Sequence, residues 1–101
     1  MVVRSKKIVN EFIAKHSNSR EVVLTAYAIL KAAQWKNLNE AKQQTANSLD
    51  YVGNDRYVYN VGGNDYRFIV MIFFRSRNIY IRGIFTHAQY NKLTTKQIES
   101  M

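Results

Sequence analysis

Three segments, Arg56–Val61, Asp65–Phe74 and Asn78–Thr86, are crowded with aromatic and β-branched residues, and a turn signal separates each from the next. Gly62-Gly63-Asn64 stands at the first junction and Arg75-Ser76-Arg77-Asn78 at the second. Such runs favour strands, and short polar or glycine-rich breaks favour hairpins. If each hairpin has a two-residue loop, odd positions of one strand face even positions of the next. Side chains then alternate across the sheet. One face collects Tyr57, Tyr59, Val61, Tyr66, Phe68, Val70, Ile72, Phe74, Ile79, Ile81 and Phe85, with no charge among them. The other collects Arg56, Val58, Asn60, Arg67, Ile69, Met71, Phe73, Tyr80, Arg82, Ile84 and Thr86, including all three in-strand arginines. A wrong register would scatter the arginines. A three-residue loop, or a bulge near Gly83, would shift one strand by a residue.

The first half has a different period. Val2 and Val3 suggest a short leading strand. Ser5 is placed to cap a helix over residues 6–16, in which Ile8, Val9, Phe12 and Ile13 share a face. His16 falls at the end of that helix, where it can meet the last carbonyls. A second helix is expected from Asn18 or Ser19, with Glu21 set for a capping box and Val23, Ala26, Tyr27, Leu30 and Ala33 as its buried stripe. Trp35 closes that stripe as a core anchor, and residues 38–45 suit one more short helix. Helices followed by a meander predict an α+β fold: N-terminal helices packed on one face of a small antiparallel sheet, with a short C-terminal helix after it.

With 101 residues, 47% of them hydrophobic, the chain has room for one domain, 1–101, around one modest core. Fifteen basic against seven acidic residues give a net charge of +8, which favours a polyanionic partner such as nucleic acid. A basic chain neutralised by an acidic protein satisfies the same balance. Without cysteine there is no disulfide or thiolate metal site, and His16 and His87 lie too far apart in sequence to suggest a metal centre. No signal peptide or membrane span is expected, and the expected location is the cytoplasm.

Between Asp65 and Glu99 no acidic residue occurs, while Arg67, Arg75, Arg77, Arg82, Lys92 and Lys96 do. Arg56, Arg67 and Arg82 should converge on the open sheet face, where rigid guanidinium forks suit phosphate. After the last strand, Thr86 to Lys92 reads as a turn into a short helix that puts His87 and Tyr90 on one side. These parts suffice for metal-free cleavage of RNA. A base takes the 2′-hydroxyl proton, cations stabilise the phosphorane, and an acid protonates the leaving 5′-oxygen. A plain phosphate-binding surface fits the same pattern, with His87 capping the strand end and Tyr90 pinning the terminal helix. Tyr80 on the arginine face could stack on a base.

Asn54-x-Arg56-x-Val58-x-Asn60, Gly63-Asn64-Asp65-Tyr66-Arg67, Tyr80-Ile81-Arg82 and Thr86-His87-Ala88-x-Tyr90 together resemble the HigB toxins of bacterial type II toxin–antitoxin systems, within the RelE-like superfamily. The helical half is similar too, including Trp35-Lys36. The resemblance implies an endoribonuclease, an mRNA interferase that cuts mRNA on the translating ribosome and arrests growth without a cofactor. It implies a HigA-like helix-turn-helix antitoxin, with operator DNA bound only through the complex. Carried over by position, the catalytic set is Arg67, Arg82, His87 and Tyr90. Arg56, Asn60, Tyr80 and Lys92 are the expected substrate contacts. The chain departs from the family pattern at Gln89 and Asn91, where relatives often carry Glu and Asp, and at Phe85, where many carry Gly. A non-catalytic RNA- or ribosome-binding module is the competing expectation.

Overall fold

The computed structural model describes residues 1–101. The order is β1 (Val2–Arg4), α1 (Lys6–Lys15), α2 (Arg20–Ala32), α3 (Leu38–Gln44), β2 (Leu49–Gly53), β3 (Arg56–Val61), β4 (Tyr66–Phe73), β5 (Asn78–Thr86), α4 (His87–Tyr90) and α5 (Thr95–Glu99). The five strands form one sheet in the order β1-β5-β4-β3-β2. The fold is α+β, as expected.

The expected antiparallel sheet is mixed at one edge. β2 to β5 run antiparallel, while β1 lies parallel to β5, with Val3 opposite Ile79. No hairpin joins β1 to β5, so nothing forces that pair to be antiparallel. β2 is a strand that the sequence does not announce. Asp50 and Tyr51 are exposed and Leu49 alone is fully buried, so its pattern is too weak to read as one.

Both hairpin loops are longer than two residues, yet the register survives. Val61 pairs with Tyr66 across residues 62–65, and Phe73 pairs with Asn78 across residues 74–77. Loops of four residues keep the parity of loops of two. The first turns through Gly62, Gly63 and Asn64 at φ of 62°, 63° and 75°. Glycine is needed at Gly62, where a Cβ would also stand 3.0 Å from Val22 Cγ1.

Parity changes inside β5. Val70 pairs with Ile81 but Ile69 pairs with Gly83, so Arg82 is an extra residue, a β-bulge. Beyond it, Ile84 and Thr86 join the helix-covered face opposite Phe68 and Tyr66, and Phe85 moves to the other face opposite Arg67. Those three assignments from the uninterrupted register are corrected by the bulge.

The helices pack on the uncharged face. Val9, Val23, Leu30, Phe68, Val70, Ile79 and Ile81 are fully buried there, each contributing about 1.5–3 kcal/mol over exposure. Trp35 is 1% exposed and donates from Nε1 to Gln44 Oε1 at 2.9 Å, which ties the end of α2 to α3. The expected caps of α1 and α2 differ. Ser5 sits in the left-handed region and makes no side-chain cap. A 3₁₀ turn over Ser17–Ser19 precedes α2, and buried Ser19 donates back to the His16 carbonyl at 2.6 Å, so no capping box forms with Glu21. His16 ends α1, but only its backbone N–H bonds to the Phe12 carbonyl; its ring stacks 4.4 Å from the Phe12 ring instead of meeting the last carbonyls.

Candidate active site

The second sheet face is not the open arginine surface that the sequence suggests. α5, a short helix beyond α4 that opens on a capping box between Thr94 and Gln97, lays Ile98 on Val58 and Ile69, with Val52, Phe85, Tyr90, Leu93 and Met101 around them. Val58 and Ile69 are 3% and 0% exposed. The C-terminal segment therefore makes a second, small core and divides this face.

Arg67 lies at the margin of that core and is itself only 8% exposed. One guanidinium nitrogen donates to the Asn64 carbonyl and also reaches the Tyr66 carbonyl at 3.4 Å. The other stands 3.2 Å from His87 Nδ1. The guanidinium carbon lies 5.3 Å from the centre of the Tyr90 ring, in cation–π range. Three of the residues expected to do chemistry thus touch one another through Arg67.

Local structure explains the cluster. Thr86 and Gln89 form a reciprocal capping box that starts α4 at His87. Gln89 meets the need through its amide oxygen, which accepts from the Thr86 N–H at 3.0 Å. The His87 N–H donates to the Asp65 carbonyl at 2.9 Å. The β3–β4 loop therefore holds Arg67 through Asn64 and α4 through Asp65. Sequence reasoning misses these two carbonyls, because backbone acceptors leave no residue-type signal.

A guanidinium has donors and no acceptor. Its contact with His87 is a hydrogen bond only when Nδ1 carries the lone pair, which places the imidazole proton on Nε2. His87 is exposed, so Nε2 is the nitrogen available to a substrate.

The remaining candidates stand apart. Arg56 is opposite Met71, and its guanidinium donates to the Met101 backbone oxygen and to the Asn54 carbonyl at 2.9 Å. Asn60 is opposite Arg67, but its side-chain amide donates to the Ser48 carbonyl and to Asp50 Oδ2, each at 3.3 Å. It ties β3 to β2. Tyr80 packs edge-on against Phe73 at 5.8 Å, with the Arg4 guanidinium 5.8 Å from its centre, near the β1 end of the sheet. Arg82 is exposed at the bulge and shares a groove with Lys92, Gln89 and residues of α1. The expected convergence of Arg56, Arg67 and Arg82 is replaced by three separate placements.

Two ionisable side chains are shifted. Burial raises the Tyr57 hydroxyl above its usual 10.0, with Tyr51 and Asp55 adding to the effect, and burial raises Tyr59 likewise. Both lie on the helix-covered face and remain protonated near neutrality. No three His, Cys, Asp or Glu side chains gather into a metal-binding group, and no helix is long and apolar enough to cross a membrane.

Residues 19–93 match the family model HigB_toxin, described as the RelE-like toxic component of a toxin–antitoxin system. The chain belongs to the HigB toxin family. A protein named mRNA interferase HigB from Escherichia coli O6:H1 is 30% identical over 95 residues, which is 93% of this chain and 92% of that protein. The mRNA interferase toxin HigB of Escherichia coli K12 is 50% identical over 38 residues, 38% of this chain and 36% of that protein. The same figures hold for mRNA interferase HigB of Shigella flexneri. The chain thus covers about a third of the length of these last two HigB relatives. The match to the family model takes in Arg67, Arg82, His87 and Tyr90.

Proposed function

We propose that this chain is the toxin of a type II toxin–antitoxin pair and an endoribonuclease that cuts mRNA on the translating ribosome. The observation that carries the reading is the contact of Arg67 with both His87 and Tyr90 in a family of toxic components whose relatives are named mRNA interferases. In the reaction the 2′-oxygen forms a bond to the adjacent phosphorus and the bond from phosphorus to the 5′-oxygen breaks. The 2′-hydroxyl loses a proton and the 5′-oxygen gains one, leaving a 2′,3′-cyclic phosphate.

Arg67 supplies fixed positive charge beside the phosphorane, a contribution that is strongest in a water-poor site. His87 presents Nε2–H as a hydrogen-bond donor to the reacting phosphate. To take the 2′-hydroxyl proton on Nδ1 it must first turn away from Arg67. Tyr90 flanks the pair. Arg82 adds a second cation, and Lys92, Arg56, Asn60 and Tyr80 are the proposed RNA contacts. The ribosome would bring the remaining proton-transfer groups or the strained RNA geometry, which accounts for dependence on translation. The proposed partner is a HigA-like helix-turn-helix antitoxin, operator DNA being reached only through the complex, and the proposed location is the cytoplasm.

One observation favours a second reading, a non-catalytic RNA- or ribosome-binding module. Arg67 is buried and held by two backbone carbonyls, as a purely structural arginine would be. Expression of wild type and His87→Ala in bacteria, with mapping of mRNA 5′ ends, decides between them. New ends inside coding regions for the wild type alone support the nuclease. Growth arrest without new ends removes the catalytic roles of Arg67, Arg82, His87 and Tyr90.

A further inference from the structure

β1 covers β5 only at Asn78, Ile79 and Tyr80. At Ser5 the chain turns through a left-handed residue into α1 and leaves the sheet. From Arg82 to Phe85 the outer edge of β5 has no neighbouring strand. A strand edge presents alternate N–H and C=O groups, and a bulge leaves a further set unpaired. A groove of about 490 Å³ runs along this edge. Ile8 and Phe12 of α1 line it, with Ile84 and Phe85 of β5, whose side chains point to opposite faces of the sheet, and with Gln89 and Lys92.

The charges around the groove are one-sided. Lys15, Arg82 and Lys92 line it against a single acid, Glu11, which stands 3.8 Å from Lys7. Basic residues on an edge commonly guard against pairing with copies of the same chain. Here they repel another copy, whose net charge is +8, while leaving the edge open to a chain of the opposite sign.

We propose that the free edge of β5 from Arg82 to Phe85 is a docking site for an extended acidic segment of a partner protein, which adds beside it as a strand. Backbone hydrogen bonds would hold the segment, and alternate side chains would go to opposite walls. Apolar residues fit the side of Ile8 and Phe12, and acidic ones the side of Arg82 and Lys92. The segment therefore alternates apolar and acidic residues. A free edge lined in part by Ile8, Phe12, Ile84 and Phe85 favours a peptide over RNA, which has no use for strand hydrogen bonds. The inference rests on geometry and charge, and its test reads binding instead of cleavage, so it stands or falls apart from the nuclease reading.

The test titrates the full chain with an eight-residue peptide of alternating valine and glutamate at up to millimolar concentration. A valine–lysine peptide and a short single-stranded RNA serve as comparisons. Backbone amide exchange is followed by NMR. The glutamate peptide should slow exchange at residues 82–85, the lysine peptide should not, and Arg82→Glu with Lys92→Glu should weaken binding about tenfold or more. Folding of the double variant is checked by its amide spectrum. Unchanged exchange at residues 82–85, or binding that survives the charge reversal in a folded variant, overturns the proposal. Protection of those amides by RNA alone also overturns it and makes the groove a nucleic-acid surface.

Discussion

Arg67 and His87 meet at 3.2 Å between a guanidinium nitrogen and Nδ1, and only the arginine can donate across that contact. The pair fixes which imidazole nitrogen carries the proton. Nitrogen-15 NMR of the neutral imidazole should show Nε2 protonated and Nδ1 bare in the wild type, and a mixture of tautomers in Arg67→Met. A protonated Nδ1 in the wild type would show that the two residues do not share a hydrogen bond in solution. Because Arg67→Met also releases the Asn64 carbonyl, it should cost about 1–3 kcal/mol of stability.

His87→Ala is the cleaner probe of chemistry, since the side chain is exposed. Cleavage of translated mRNA should fall about 10²- to 10⁴-fold, the range of a positioned acid–base group. Thermal stability should fall by about 1 kcal/mol, the worth of the hydrogen bond that His87 accepts from Arg67, with water taking the place of the exposed imidazole. Full cleavage by a folded His87→Ala protein would remove His87 from the site.

Gly83 and Phe85 form a second coupled pair. A Cβ at position 83 would stand 2.7 Å from Phe85 Cε2 and 2.8 Å from its Cζ. The ring lies over the glycine and helps roof Ile69 beside Tyr90. Gly83→Ala should cost about 1–3 kcal/mol in urea unfolding, as overpacking does. Combining it with Phe85→Ala should cost less than the sum of the two single changes. Strict additivity would mean that the ring does not rest there.

The same bulge shows where the sequence stops being readable. Alternation from Arg56 to Ile81 places the core face correctly, because a buried face tolerates no charge and loops of even length preserve parity. The insertion of Arg82 is a hydrogen-bonding event between strands, and residue types alone locate it only as a possibility near Gly83. The cluster of Arg67, His87 and Tyr90 is legible as a group, since Thr86 starts a short helix at a fixed offset from β5. The separation of Arg56 and Arg82 from it is not, because the C-terminal residues that occupy Arg56 and cover Ile69 come from α5 and its end. That helix has a single buried residue, Ile98, too little for a period to show.

Ile98 gives that late cover a measurable weight. It is 4% exposed against Val58 and Ile69. Ile98→Ala should destabilise by about 2–5 kcal/mol if the site does not collapse. Amides of α5 should exchange faster well before those of β4. A loss below about 0.5 kcal/mol would show that α5 contributes little to the folded state.

High pH tests the helix-covered face. Tyr57 and Tyr59 have raised hydroxyl pKa values in the folded protein, chiefly through burial. Below about pH 10 both are protonated in the folded and unfolded chains, so their contribution to stability is flat. Above it the unfolded chain releases protons that the folded chain retains, so stability falls as pH rises, until the folded hydroxyls also ionise. Denaturant midpoints measured from about pH 8 to 11 should decline more steeply for wild type than for Tyr57→Phe with Tyr59→Phe. Lysine and arginine are common to both proteins and largely cancel in the difference. Parallel declines would mean that these hydroxyls ionise as readily when folded as when unfolded, and that water reaches them.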